Sequence, residues 1–335
     1  MPALAVADAL RTEGAHVVFI GGERAEAELV PAAGYELHKL EVAPLPRRRP
    51  VAAARAALTD ARAVLSASAL LRALGAHAAV GAGGYVAAPL GLAATLRRVP
   101  LALMEADSHL GLANRMLAPL ARRVFLAFPI DGRADERYLL TGRPVPLPAT
   151  DREAARRRFG IAPGETCVLV FGGSLGARSI NRTAVEAFAG ARCRVLHAAG
   201  YRDMPDLRPP GPHYDLRPYI ENFGEALLAS DLVVARAGGS IFEIAAHGRP
   251  AVLIPYPYAT GDHQTENARW MEQAGAAVVV PDGELTPARL AQEVGHLLAD
   301  PGRLSSMARA SASLARPDAA RTIASEVLAL ARRGP

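Results

Sequence analysis

At 335 residues, 50% hydrophobic and 21% charged, the chain can bury one large or two ordinary cores, and about two domains are expected. The formal net charge of +5 comes almost wholly from arginine, with Lys39 the only lysine, and acidic residues are interspersed throughout. That pattern argues against a nucleic-acid partner and leaves a mildly basic surface suited to phosphates or anionic lipids.

In chain order, Pro2 to Arg11 reads as a helix, and the opening Met1 to Val6 lacks the basic flank of a signal peptide. Strand His16 to Ile20, helix Arg24 to Val30 and a strand near Leu37 follow. A long helical region covers Val51 to Leu74, and strand Ala78 to Val80 enters the turn Gly81-Ala82-Gly83-Gly84-Tyr85. The uncharged window Ala73 to Leu96 is broken by Gly75, Gly81, Gly83, Gly84, Pro89 and Gly91, so it reads as strand, turn and small-residue helix, not a membrane span. Strand Leu101 to Met104, helix Leu110 to Ala121 and strand Val124 to Ala127 close the first half. Prolines at 144, 146 and 148 then favour extended backbone, and Thr141 to Pro148 is expected to link two domains.

The second half restarts with strand Cys167 to Phe171 and a helix carrying Ile180, Ala184, Val185 and Phe188 on one face. Later strands are expected at Val195 to His197, Leu232 to Ala235, Ala251 to Ile254 and Ala277 to Val280, with a helical tail from Ala310 that packs back across the linker. Alternating strands and helices predict a parallel sheet covered on both faces. Cys167 and Cys193 lie in apolar runs without pairing or metal spacing. They read as small buried hydrophobes, and a reducing cytoplasm fits.

Chemistry concentrates in two turns. Strand Cys167 to Phe171 runs into Gly172-Gly173-Ser174-Leu175-Gly176 and then a helix; strand Leu232 to Ala235 runs into Arg236-Ala237-Gly238-Gly239-Ser240 with Glu243 on the next helical turn. Glycines allow backbone N–H groups to approach an anion, and a helix N-terminus favours the same charge. Two such turns in one half predict a nucleotide-diphosphate site. Glu105, Asp107 and His109 follow a strand end, where ligand-contacting residues of parallel sheets gather.

These strings, together with Gly81 to Pro89, Gly111-Leu112-Ala113-Asn114-Arg115, Gly172 to Asn181 and Arg236 to Asn267, resemble the MurG family of GT-B enzymes. The likeness spans nearly the whole chain. It implies an α/β fold of two Rossmann-like doubly wound parallel-sheet domains with an interdomain cleft: an acceptor and membrane-side domain over 1–145, a UDP-sugar donor domain over 150–312, and a C-terminal helix over 313–335 packing back on the first. The resemblance further implies inverting transfer of N-acetylglucosamine from UDP-N-acetylglucosamine to undecaprenyl-diphospho-N-acetylmuramoyl-pentapeptide in peptidoglycan synthesis. No metal or cofactor is implied. The place of work would be the cytoplasmic face of the bacterial cell membrane, with peripheral contact to anionic lipid.

Carried over by motif, Gly173, Ser174 and Gly176 would meet the diphosphate, and Ile220 would offer its backbone to the uracil. Glu243 would accept from the ribose hydroxyls, and Gln264 would hold the donor sugar. Gly83, Gly84, Tyr85 and Asn114 would lie on the acceptor side. The family's Gly-Gly-Thr-Gly-Gly-His loop precedes the segment matching Pro2-Ala3-Leu4 and does not occur in this chain, so Glu105 and Asp107 are the catalytic candidates. The missing strand before that loop would deprive its neighbours of ladder partners and leave Leu4 and Leu10 without a floor. The run Pro46-Arg47-Arg48-Arg49-Pro50 is a candidate lipid contact, equally readable as a solvated loop. A UDP-N-acetylglucosamine 2-epimerase of the same architecture, or a non-catalytic UDP-sugar-binding protein, are the rival readings.

Overall fold

The computed structural model describes all residues except 1, 24, 43–49, 85, 134, 174, 175 and 335. The basic run at 47–49, Tyr85 and Ser174 therefore lie outside the described residues. The chain divides into two compact units, 1–145 with 318–335, and 146–317.

The first unit runs α1 (Pro2–Thr12), β1 (Val18–Gly21), α2 (Glu26–Ala32), β2 (Glu36–Lys39), α3 (Pro50–Ala73), β3 (Ala79–Gly81), α4 (Ala87–Leu96), β4 (Leu101–Glu105), α5 (Leu112–Leu117), β5 (Arg123–Leu126) and β6 (Tyr138–Leu140). All pairings are parallel, but they form two ladders, β1-β2 and β3-β4-β5-β6. Among the described residues, β1 pairs only with β2, and β3 only with β4.

Helices hold the two ladders in common. On one side of α1, Ala7 packs with Val30, Tyr35 and Phe19 around the first ladder, while Val6 and Leu10 pack with Ala102, Met104 and Phe125 of the second. A second cluster gathers Ile20 and Leu40 with Ala67 and Leu71 of α3, Ala93 and Ala94 of α4, and Leu103. Leu10 is buried, contrary to the expectation that it would lose its floor. The physical reason is that side chains of β4 and β5 and a returning C-terminal helix reach it.

The second unit contains α6 (Arg152–Arg158), β7 (Cys167–Phe171), α7 (Arg178–Ala187), β8 (Arg194–Ala198), β9 (Tyr214–Arg217), α8 (Phe223–Ala229), β10 (Leu232–Ala235), α9 (Ile241–Ala246), β11 (Ala251–Leu253), α10 (His263–Gln273), β12 (Ala277–Val279), α11 (Pro287–Leu298) and α12 (Pro301–Ser313). Its sheet is wholly parallel with order β12-β11-β10-β7-β8-β9. The first strand, β7, is thus central, and chain direction across the sheet reverses between β7 and β10. Every residue of β7 and β10 is buried, as a strand covered on both faces requires. Helix starts follow from sequence: Asp151, Thr286 and Asp300 cap α6, α11 and α12 by accepting from Ala154, Arg289 and Arg303 N–H, and Pro287 and Pro301 open the last two.

The chain then returns to the first unit as α13 (Ala319–Arg333), whose Ile323, Ala324, Val327 and Leu330 pack with Val6 and Leu10 of α1. Because Ile323 is fully buried there, Ile323→Ala is expected to lower the stability of the first unit by about 2–5 kcal/mol. Urea unfolding checks this. A loss below about 0.5 kcal/mol, the range of surface substitutions, would mean that α13 is not part of that core.

Candidate functional site

The two glycine turns leave the sheet of the second unit side by side, because Phe171 and Ala235, the last residues of β7 and β10, are register partners. The first turn is folded tightly on itself. A Cβ on Gly172 would lie 2.4 Å from the Ala177 nitrogen, and a Cβ on Gly176 would lie 2.1 Å from the Ala199 carbonyl oxygen. Gly173 and Gly176 also adopt φ of +94° and +75°, a region that side chains disfavour. Helix α7 begins right after, with Ala177 in extended conformation and no side-chain cap. Its first-turn N–H groups are therefore available to an anion.

The second turn is fixed from behind. Asn267 Nδ2 donates to the Ala237 carbonyl at 3.0 Å, and a Cβ on Gly238 would sit 3.9 Å from Gln264 Nε2. Gln264 Oε1 in turn accepts from the Tyr256 N–H at 3.0 Å. Glu243 lies half-buried in the first turn of α9. Ile220 is buried ahead of α8, where Phe223 stands edge-on to Phe171 at a centroid separation of 4.8 Å. Gly173, Gly176, Glu243 and Gln264 thus belong to the turns and first helical turns that follow β7, β10 and β11.

Arg236, Asn181, His197 and Asp203 were not singled out by sequence reasoning. Arg236, only 8% exposed, donates to the carbonyls of Ile254 and Pro255, to Asp282 at 2.6 Å and to Ser179 Oγ at 2.7 Å. One guanidinium therefore ties the end of β10 to the start of α7 and the end of β11. Its place directly before Ala237-Gly238-Gly239 was the available signal. Asp203 receives Arg178 and Arg202; burial works against its charge, yet hydrogen bonds from these two guanidiniums hold its carboxyl below the ordinary range.

In the first unit, Glu105 ends β4 and is buried. Its carboxylate accepts from Asp107 N–H at 3.1 Å, Gly111 N–H at 2.8 Å and Asn114 Nδ2 at 2.9 Å. Asn114 also donates to the Met104 carbonyl. Glu105 and Asn114 thus shape the loop between β4 and α5, and the loop carries Asp107, half-buried, and His109, exposed. A cavity of about 220 Å³ lies beside Glu105, walled by Pro2, Ala82, Met104, Arg143 and Ile323. Gly83 and Gly84 both have positive φ and open space where a Cβ would point. Cys167 is a buried thiol pushed up to about 12 by burial, in keeping with a core residue.

Two parallel α/β units, the second with paired glycine turns at the reversal point of its sheet, define the GT-B class of glycosyltransferases. Residues 1–126 match the Glycosyltransferase family 28 N-terminal domain and residues 167–323 its C-terminal domain. The chain belongs to the MurG family of that class. It is 41% identical over 338 residues to the UDP-N-acetylglucosamine–N-acetylmuramyl-(pentapeptide) pyrophosphoryl-undecaprenol N-acetylglucosamine transferase of Rubrobacter xylanophilus, covering 98% of this chain and 99% of that one. The enzyme of the same name from Halothermothrix orenii is 36% identical over 345 residues, covering 96% and 93%. The crystal structure of Acinetobacter baumannii MurG superposes with a TM-score of 0.81 at 28% identity, over 98% of this chain and 95% of that one.

Burial sets a pH dependence. His197 is pushed down to about 4 by burial, and His247 is lowered for the same leading reason. Between pH 6.5 and 4 the unfolded chain binds a proton at His197 that the folded chain refuses, so the stability it contributes is complete above 6.5 and lost as pH falls toward 4. The loss expected from His197 is roughly 3 kcal/mol. Denaturant midpoints measured across that window should fall, and more shallowly in His197→Gln; equal slopes would contradict the assignment.

Proposed function

We propose that the chain transfers N-acetylglucosamine from UDP-N-acetylglucosamine to undecaprenyl-diphospho-N-acetylmuramoyl-pentapeptide, with inversion at the anomeric carbon. The observation that carries the reading is the pair of neighbouring glycine-rich turns after β7 and β10, the arrangement a sugar-nucleotide diphosphate needs. Gly173 and Ser174 would give backbone N–H groups, and Ser174 a hydroxyl, to the diphosphate, while Gly176 shapes the turn, its own N–H donating to the Gly173 carbonyl at 3.0 Å. Glu243 accepts from the ribose diol, Ile220 presents its backbone to uracil, and Gln264 directs its amide to the donor sugar. Negative charge grows on the diphosphate as UDP departs, and the N–H groups at the start of α7 stabilise it in place.

The acceptor belongs to the first unit. Glu105 and Asn114 act as supports of the β4–α5 loop; Gly83, Gly84 and Tyr85 would border the acceptor, and Asp107, carried on that loop, would take the proton of the attacking hydroxyl. Besides the basic run at 47–49, a second surface of the first unit suits membrane contact. Helices α4 and α5 pack on each other where Gly91 leaves room for Leu117, and around them Leu92, Leu96, Leu112, Met116 and Leu120 are exposed, Leu96 by 72% and Met116 by 63%. Arg97, Arg98, Arg115 and Arg122 stand beside them in sequence. Apolar side chains flanked by arginine suit the interface of an anionic bilayer. Among the described residues no helix is long and apolar enough to cross a membrane.

Calorimetric titration with UDP tests the donor site: the unmodified chain should bind, and Glu243→Gln should weaken binding about tenfold, the value of one charge-assisted hydrogen bond. No binding of UDP to the unmodified chain ends the reading. Asp107→Asn is expected to lower kcat about 100-fold with little change in the KM for donor; unchanged turnover removes Asp107 from the mechanism. Release of N-acetylmannosamine from donor alone would favour the epimerase. Flotation with phosphatidylglycerol vesicles should be lost when Leu96, Leu112 and Met116 are together changed to Ser, and flotation that persists refutes the lipid surface.

A further inference from the structure

Beneath the first glycine turn, a chain of buried hydrogen bonds joins α7, β8 and β9. Asn181, fully buried on α7, directs Nδ2 at the Ala199 carbonyl, 2.8 Å away, and at the Asp203 carboxylate, 3.0 Å away. Both partners can only accept, so the orientation of the amide is assigned by its neighbours. Asn181 Oδ1 then faces His197 Nε2 at 3.0 Å and must accept a hydrogen bond from its N–H. With the hydrogen on Nε2, His197 Nδ1 holds a lone pair, and Tyr214 O–H donates to it at 2.7 Å. One tautomer of a neutral imidazole satisfies the whole chain.

The end of this chain is the Ala199 carbonyl, the atom on which Gly176 is seated. The position a Gly176 Cβ would take is 2.1 Å from that oxygen and 3.4 Å from Asn181 Nδ2. A rotated Asn181 amide would turn its own oxygen toward the Ala199 oxygen and the Asp203 carboxylate, and the repulsion would move the floor of the turn. His197 blocks that rotation, because only Oδ1 can accept from its Nε2–H.

We propose that His197 is a positioning residue for nucleotide binding: through Asn181 it keeps the Ala199 carbonyl under Gly176 and thereby holds in place the start of α7, whose uncapped first-turn N–H groups serve a diphosphate. The proposal rests on the reading of that turn as the diphosphate site. His197 touches no substrate and takes no part in the chemical step.

The test compares two substitutions by calorimetric titration with UDP. In His197→Gln the side-chain amide can place its N–H where Nε2 was and donate to Asn181. In His197→Asn the shorter amide reaches toward Tyr214 and falls short of Asn181. UDP affinity is expected to drop about tenfold in H197N and to return close to the unmodified value in H197Q, while thermal unfolding shifts down in both. Nitrogen NMR of the unmodified chain should show a neutral His197 protonated at Nε2. An affinity unchanged in H197N, an equal loss in both variants, or an Nδ1-protonated imidazole overturns the proposal. Should H197N fail to fold, the NMR tautomer and the affinity of H197Q still decide it, since a tenfold loss in H197Q contradicts the role of the Nε2–H. Absence of UDP binding by the unmodified chain is a separate outcome, which sinks the diphosphate reading itself.

Discussion

The second unit depends on the closeness with which the β7–α7 turn folds against its own sheet. A side chain at Gly172 would meet the Ala177 nitrogen, and one at Gly176 would meet the Ala199 carbonyl. Either collision is with backbone, which cannot swing aside as a flexible side chain does. Opening the turn would also move the start of α7, and with it Ser179, which Arg236 holds at 2.7 Å. The second glycine turn, built around the same arginine, would be disturbed in consequence. Two missing Cβ atoms in one turn, at Gly172 and Gly176, thus set the spacing of the two glycine turns.

The two units use parallel strands under different constraints. In the second, β7 has partners on both edges and is covered on both faces, so ladder hydrogen bonds and apolar burial stabilise the same residues. In the first, the ladder is divided, and the layers of helices carry the continuity. Helix α1 contributes to clusters on both ladders, and α3 and α4 cover Ile20 and Leu40 together with β3 and β4 residues. Apolar packing, which is non-directional, can bridge a break that hydrogen bonding cannot. The loop after β4 is then steadied locally, by a carboxylate that accepts from two backbone N–H groups and one amide.

Elements with a strong hydrophobic run between glycines or prolines were readable in the sequence: β4, β7, β10 and the long α3 lie within a residue or two of the expected spans. Shorter pieces were not. Strand β6 (Tyr138–Leu140) has only three residues, and β9 (Tyr214–Arg217) alternates polar side chains; the ladder to β5 and to β8 makes them strands. Helix α6 was missed because Arg152 and Arg156 look like surface charge. In the fold Arg152 pairs with Asp231 Oδ1 and Arg156 with Oδ2, and Oδ2 also accepts from the Cys167 N–H at the start of β7. The site divided in the same way. Glycine turns announce themselves through composition, whereas His197 and Asn181 look like an ordinary strand histidine and helix asparagine.

By itself the sequence determined the alternation of strands and helices, the two anion-suited turns and the family to which the chain belongs, because these are properties of short contiguous runs: apolar periodicity, freedom at φ, and motif spacing. Only the tertiary structure decided what lies next to what. It seated Gly176 on the Ala199 carbonyl, gave Glu105 a supporting place in its loop, sent α13 back to cover Leu10, and drew His197, Asn181 and Tyr214 into one buried chain. Those outcomes depend on hydrogen bonds and close contacts between residues far apart along the chain, and no local pattern encodes their distance or direction.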